Sequence, residues 1–145
     1  MRFNSFQSPG PDPVDRLAAK IFKEIAKKND MWFCGVGGGA TKEGVWLVNV
    51  KFNRKGTPLN AAEGRKLIIN ISEEFLKFIN ENEEIRPLLK VHPFTSHNIH
   101  IAIFCYDYNG KEILDPYLDT LSVSNGEVGF FTQDHHNKYK FKSEI

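Results

Sequence analysis

Residues 14–26 carry the pattern that most limits what this chain can fold into. Val14, Leu17, Ala18, Ile21, Phe22, Ile25 and Ala26 recur at helical spacing, while Lys20, Lys23, Glu24, Lys27 and Lys28 fall on the other side. A helix with one apolar stripe must lay it against a second layer. Asp12 followed by Pro13 reads as an N-cap and a proline at the first helical position. Lysines suit the last turn, where the helix dipole is negative, and Asn29-Asp30 ends the element.

The second layer is written in period two. Residues 31–36 read as a strand, and residues 45–52 as another. In the latter, Trp46, Val48, Val50 and Phe52 share one face and Asn49 and Lys51 the other. "NRKG" at 53–56 reads as a turn. Residues 99–106 form a third strand, with Ile99, Ile101, Ile103 and Cys105 on one face and His100, Ala102, Phe104 and Tyr106 on the other. Neither face is strongly polar, so this strand sits centrally in its sheet or under a second layer. Residues 118–124 and 127–132 flank Asn125-Gly126, a strong hairpin signal. Tyr139 and Phe141 alternate with lysines and read as an edge strand. Between the second and third strands lies a further helix over 60–82. Thr57-Pro58 or Asn60 caps it, with Asn60 and Glu63 at capping-box spacing, and Leu67, Ile68, Ile71, Phe75, Phe78 and Ile79 make its stripe, widened by Ile69 and Leu76.

The expected order is αββαβββ. It implies an α+β two-layer sandwich: an antiparallel sheet of about five strands with two main helices packed on one face. A chain of 145 residues fits one domain. Residues 1–11, with Ser8, Pro9, Gly10 and Pro11, read as a flexible tail, which leaves 12–145 as a single α+β domain.

The stretch "FCGVGGGATKEG" at 33–44 raises the question of a phosphate cradle, since it holds Gly35, Gly37, Gly38, Gly39 and Gly44. Dinucleotide and P-loop sites need glycines that open a helix, because the helix N-terminus supplies the amides and the dipole. A P-loop also needs Lys before Ser or Thr; here Thr41 precedes Lys42 and a strand follows. The glycines therefore read as a bend between two paired strands. Gly37, Gly38 and Gly39 also form a place where a partner's backbone can approach closely.

No catalytic constellation and no cofactor emerge. The histidines are His92, His97, His100, His135 and His136, of which His97, His100, His135 and His136 are the candidate metal ligands. Three residues apart on a strand, His97 and His100 face opposite ways unless His97 sits in the loop before it, and zinc sites usually show tighter spacing. Cys34 and Cys105 read as two small buried hydrophobes, with a bridge between strands as the alternative. Burial raises a thiol's pKa and argues against a cysteine nucleophile. No G-x-S-x-G elbow is present, and Glu73, Glu74, Glu81, Glu83 and Glu84 read as a solvated helix face and its end. A formal net charge of +1 gives no electrostatic footprint for nucleic acid. No apolar run reaches the roughly 18 residues of a membrane span, and no secretion signal is visible in the first residues.

The aromatics carry the functional lead. Trp32, Trp46, Phe104, Tyr106, Tyr108, Tyr117, Phe130 and Phe131 all fall on or beside strands. One helical layer covers one sheet face, so some of these rings line the open face or meet a partner, with plain core packing as the alternative reading. The candidate interface residues are Trp32, Trp46, Phe104 and Tyr106 with Gly37, Gly38 and Gly39.

Three segments, "GVGGGA", "LNAAEGRKLIINISEEFLKFINENEEIRPLL" and "HPFTSHNIHIAIF", together resemble the pattern of a group of small uncharacterised bacterial proteins. The shared signals are GGG, an E-x-A/G-R-x-L-like run at 63–67, I-N-x-x-x-x-I-R-P-x-L and P-F-T-x-x-N-I. Many members carry a secretion or lipoprotein signal, so the resemblance implies the cell envelope or secretion. It brings no activity and no catalytic residue. The expected function is a non-enzymatic protein-binding or assembly module, acting on a protein partner or by self-association. The alternatives are a small metal-dependent enzyme using loop histidines, and a secretion chaperone. Such chaperones are usually acidic, whereas this chain is balanced.

Overall fold

The computed structural model describes residues 13–134 and 139–144. The tail at 1–11, the capping Asp12 and the pair His135-His136 lie outside them. The first stripe folds as α1, Pro13–Lys28, burying Val14, Ala18, Phe22, Ile25 and Ala26, with Leu17 and Ile21 half-buried beside them. Asn29 closes the helix by donating its side-chain amide to the Ile25 carbonyl at 2.8 Å, and Asp30 turns the chain with φ +54°.

An antiparallel hairpin of β1, Met31–Thr41, and β2, Gly44–Lys55, follows. Both strands are longer than the sequence suggests. The bend expected from Gly37 onward shrinks to Lys42 and Glu43, and residues 53–55 extend β2 instead of turning. The glycines lie inside β1, where Gly35 pairs with Lys51, Gly37 with Asn49, Gly38 with Val48 and Gly39 with Leu47. Ladder hydrogen bonds need only backbone, so pairing with a strongly apolar β2 overrides glycine's poor strand preference. Two bulges interrupt the register, between Phe33 and Gly35 and between Gly39 and Ala40.

Helix α2, Ala61–Glu81, opens on the expected capping box. The Asn60 side chain accepts from the Glu63 amide at 2.8 Å, and the Glu63 carboxylate accepts from the Asn60 amide at 3.0 Å. It buries Gly64, Ile68, Ile71, Ser72, Phe75 and Ile79. Near its end Asn80 clamps the backbone of Phe94, donating to its carbonyl at 2.9 Å and accepting from its amide at 2.7 Å. Thr95 and Asn98 cap the short 3-10 turn Ser96–Asn98, and Asn98 donates to the Trp46 carbonyl at 3.0 Å. The Asn-containing motifs on either side of the loop thus tie α2 to the loop and the loop to β2.

The remaining strands are β3, Ile99–Tyr106; β4, Thr120–Ser124; β5, Glu127–Gln133; and β6, Tyr139–Glu144. Asn125 and Gly126 both have positive φ, as a tight β4–β5 turn requires. The sheet has six strands in the order β1-β2-β3-β4-β5-β6, so β3 sits inside it and β1 and β6 are its edges. Four junctions are antiparallel; the β2–β3 junction is parallel. That step departs from the antiparallel sheet expected. Its cause is α2, which carries the chain back so that β3 starts at the same end as β2.

The fold is α+β, with both helices on one face. That face presents Val48, Val50, Phe52, Ile99, Ile101, Ile103, Leu121, Val123 and Phe130, all buried. The other face is small or polar at its centre, where Gly35, Lys51, Ala102, Ser122 and Gly129 stand in register. No helix among the described residues is long and apolar enough to cross a membrane.

Within the hairpin, the space beside Gly38 belongs to the neighbouring strand: a Cβ there would lie 2.1 Å from the Leu47 carbonyl oxygen. At Gly37 the nearest atom is the movable Asn49 side-chain oxygen, at 3.2 Å. Gly38→Ala should therefore cost about 1–3 kcal/mol in urea unfolding, and Gly37→Ala clearly less. Equal costs, or the reverse ranking, would contradict this hairpin geometry.

Candidate functional site

The structure lines up most of the expected interface residues along one side of the sheet. Trp32, Gly37, Gly38 and Gly39 lie on β1, and Trp46 stands next to it on β2. Trp32 is 55% exposed near the start of β1, and Trp46 is 40% exposed at the far end. The Trp46 ring covers Gly39, where a Cβ would meet it at 2.8 Å. Gly38 and Gly39 thus serve the packing of their own hairpin. Phe104 and Tyr106 are half-buried on the β3 face that turns away from the helices.

Among the described residues, the outer side of β1 is an open edge of the sheet. Its sequence, MWFCGVGGGAT, contains no charged residue and no proline. Among the described residues, no strand other than β2 pairs with it. Between the two bulges, residues 35–39 keep a regular register with β2.

A second feature sits where β2 and β3 end together, with Lys55 in register with Tyr106. Two adjoining recesses of about 500 and 450 Å³ share Trp32, Arg54 and Lys55 as a common wall. Lys27, Asp30 and Tyr108 also line the first, and Asn53 and Tyr106 the second. Arg54 Nη1 donates to the Thr57 carbonyl at 2.7 Å, and the Thr57 and Tyr108 hydroxyls share a hydrogen bond of 3.2 Å. The Lys55 ammonium lies 5.8 Å from the centre of the Trp32 ring, within cation–π range. None of Lys27, Arg54 and Lys55 pairs with a carboxylate among the described residues.

Of the residues lining these recesses, Trp32 and Tyr106 are interface candidates in the sequence, whereas Arg54 and Lys55 are not, because "NRKG" reads as a turn. Only the continuation of β2 through Lys55 and the parallel step to β3 bring those cations beside Trp32.

The histidines do not gather. His97 lies in the turn before β3 with its ring against the Gly126 turn, where a Cβ would meet it at 2.6 Å. His100 is exposed on the open face of β3, and His92 Nε2 lies 3.4 Å from the Asn80 carbonyl oxygen. Among the described residues no three His, Cys, Asp or Glu side chains stand together as a metal site.

The cysteines correct one expectation. Both are free, so no bridge joins them, and only Cys105 is buried. Cys34 is exposed because it falls in the first β1 bulge, where it has no register partner on β2. Burial pushes the Cys105 thiol up to about 12; the Arg54 charge pulls against that shift and Asp119 adds to it.

Comparison with protein-family models, curated proteins and solved structures returns no match.

The cysteine environments generate a test. In the folded protein at about pH 8, iodoacetamide should label Cys34 and leave Cys105 untouched until denaturant is added. Because the folded thiol titrates above its unfolded value, Cys105 contributes stability that is full below about pH 8.5. That contribution falls as pH rises, since only the unfolded thiol ionises there. Cys105→Val should flatten this part of the pH profile. Native labelling of Cys105 would contradict the buried placement.

Proposed function

We propose that the chain is a non-enzymatic protein-binding module that takes an extended segment of a partner on the outer edge of β1. The observation that carries this reading is an edge strand of eleven residues, Met31–Thr41, without charge or proline. Edge strands are normally guarded by lysines, proline, bulges or brevity, because their free N–H and C=O groups invite another chain. The opposite edge, β6, includes Lys140 and Lys142 in its sequence, whereas β1 has neither lysine nor proline. The β1 bulges bend its ends but leave residues 35–39 regular.

A strand added there would gain main-chain hydrogen bonds, with side-chain contacts deciding which segments fit. Trp32 and Trp46, exposed toward opposite ends of the hairpin, are the anchors offered for such contacts. The edge is favoured over the open sheet face because the centre of that face is small and polar, which offers little apolar area. Either another protein or a second copy of this chain can supply the segment. The motif resemblance supports an envelope or secreted setting for such a module.

The test is a comparison of wild type with Cys34→Lys/Ala40→Lys, which charges two exposed positions of the edge. Twelve-residue peptides selected by display against the wild type should bind the variant at least about tenfold more weakly, with the melting temperature retained. If the occupant is a second copy, sedimentation should instead show a dimer that the variant loses. Peptides that bind both proteins equally would contradict the proposal, as would a strictly monomeric chain for which no peptide is selected.

A further inference from the structure

The paired recesses at the ends of β2 and β3 make up one concavity. Their lining brings three cations, Lys27, Arg54 and Lys55, against one carboxylate, Asp30. In a chain whose formal charges nearly cancel, this is a local excess of positive charge. The cations have no carboxylate partner among the described residues, so their charge remains available to a ligand. Arg54 is already held: its bond to the Thr57 carbonyl fixes the guanidinium and leaves most of its donors unused. An anchored guanidinium loses less freedom on gripping an anion than a free one would.

The aromatic half of the cleft is equally specific. Trp32 presents more than half its surface to solvent, and its ring lies under the Lys55 ammonium. Tyr108, 72% exposed, stands across the first recess with its hydroxyl bonded to Thr57. Tyr106 walls the second. Recesses of about 500 and 450 Å³ are the size of small-molecule sites. They also open at the carboxyl ends of the sheet's parallel pair, the end where ligands gather in open parallel sheets.

We infer that this cleft binds a small planar anion, an aromatic or heteroaromatic ring that stacks on Trp32 and carries a carboxylate or phosphate gripped by Arg54 and Lys55. Lys27 adds attraction from the end of α1, and Asp30 disfavours ligands with a positive group at that side. The ring supplies dispersion and stacking with Trp32, while the anion replaces water around cations that have no carboxylate partner among the described residues. Neither half suffices alone: a neutral ring leaves the cations unanswered, and a bare anion leaves the tryptophan exposed.

The experiment is a fluorescence titration in a Trp46→Phe background, which leaves Trp32 as the remaining one of the two tryptophans. The probes are adenosine 5′-monophosphate and indole-3-acetate as planar anions, adenosine as the neutral ring, and inorganic phosphate as the bare anion. At least one planar anion should change Trp32 emission saturably, with adenosine and phosphate about tenfold weaker or more. Lys55→Ala and Arg54→Ala should each weaken that planar anion about tenfold, and added salt should weaken it as well. Because Lys55 is exposed, its variant keeps the test valid if Arg54→Ala fails to fold. Which probe wins separates a phosphate-bearing from a carboxylate-bearing ligand. The inference is overturned if neither planar anion saturates up to about 10 mM, if adenosine binds as well as the monophosphate, or if Lys55→Ala changes nothing.

Discussion

Phe22 is where the layers of this protein meet. Its ring stacks on Phe75 of α2 with centroids 4.2 Å apart, and lies edge-on to Phe52 of β2 at 5.8 Å. One side chain of α1 therefore joins the second helix and the sheet in a single cluster, and all three rings are buried. Aromatic contacts of this kind add to area burial and fix relative orientation. A pair from Lys28 of α1 to Glu74 of α2 lies at the rim of the same contact, where an exposed ion pair contributes little. Because the cluster draws both helices to one face, no described helix is left to cover the other.

The second consequence comes from the path of α2. Residues 61–81 recross the sheet and set β3 parallel to β2, so two strands finish side by side at Lys55 and Tyr106. An all-antiparallel sheet would have put Tyr106 at the opposite end from Trp32. The cleft and the open edge thus share a cause: a one-sided core with a single crossover. They meet at Trp32, which begins the edge and walls the cleft.

Much of this architecture was legible in the sequence because it rests on periodicity. The stripe at 14–26, the capping box at Asn60 and Glu63, the alternation at 99–106 and the Asn125-Gly126 turn all appear where local chemistry alone would put them. What was not legible depended on tertiary partners. Glycines 37–39 read as a bend because isolated glycine disfavours strands, yet pairing with β2 makes them strand. Cys34 read as buried because its neighbours are apolar, yet a bulge turns it outward. The parallel step was hidden because hairpin signals elsewhere suggested local connections throughout. Of the candidate site, the exposed tryptophans could be read, since a single helical layer cannot cover both faces. The cations of Arg54 and Lys55 could not, because their placement beside Trp32 depends on how far β2 extends and which strand follows it.

The proposed binding role requires an outer edge of β1 whose backbone groups face water. Native-state hydrogen exchange of residues 35–39, measured amide by amide in the free chain at low concentration, tests it directly. The amides bonded to β2 should be strongly protected and the alternate ones should exchange almost as fast as in a loop. Uniform protection along that stretch would mean that something already covers the edge, and the binding role assigned to it would fail.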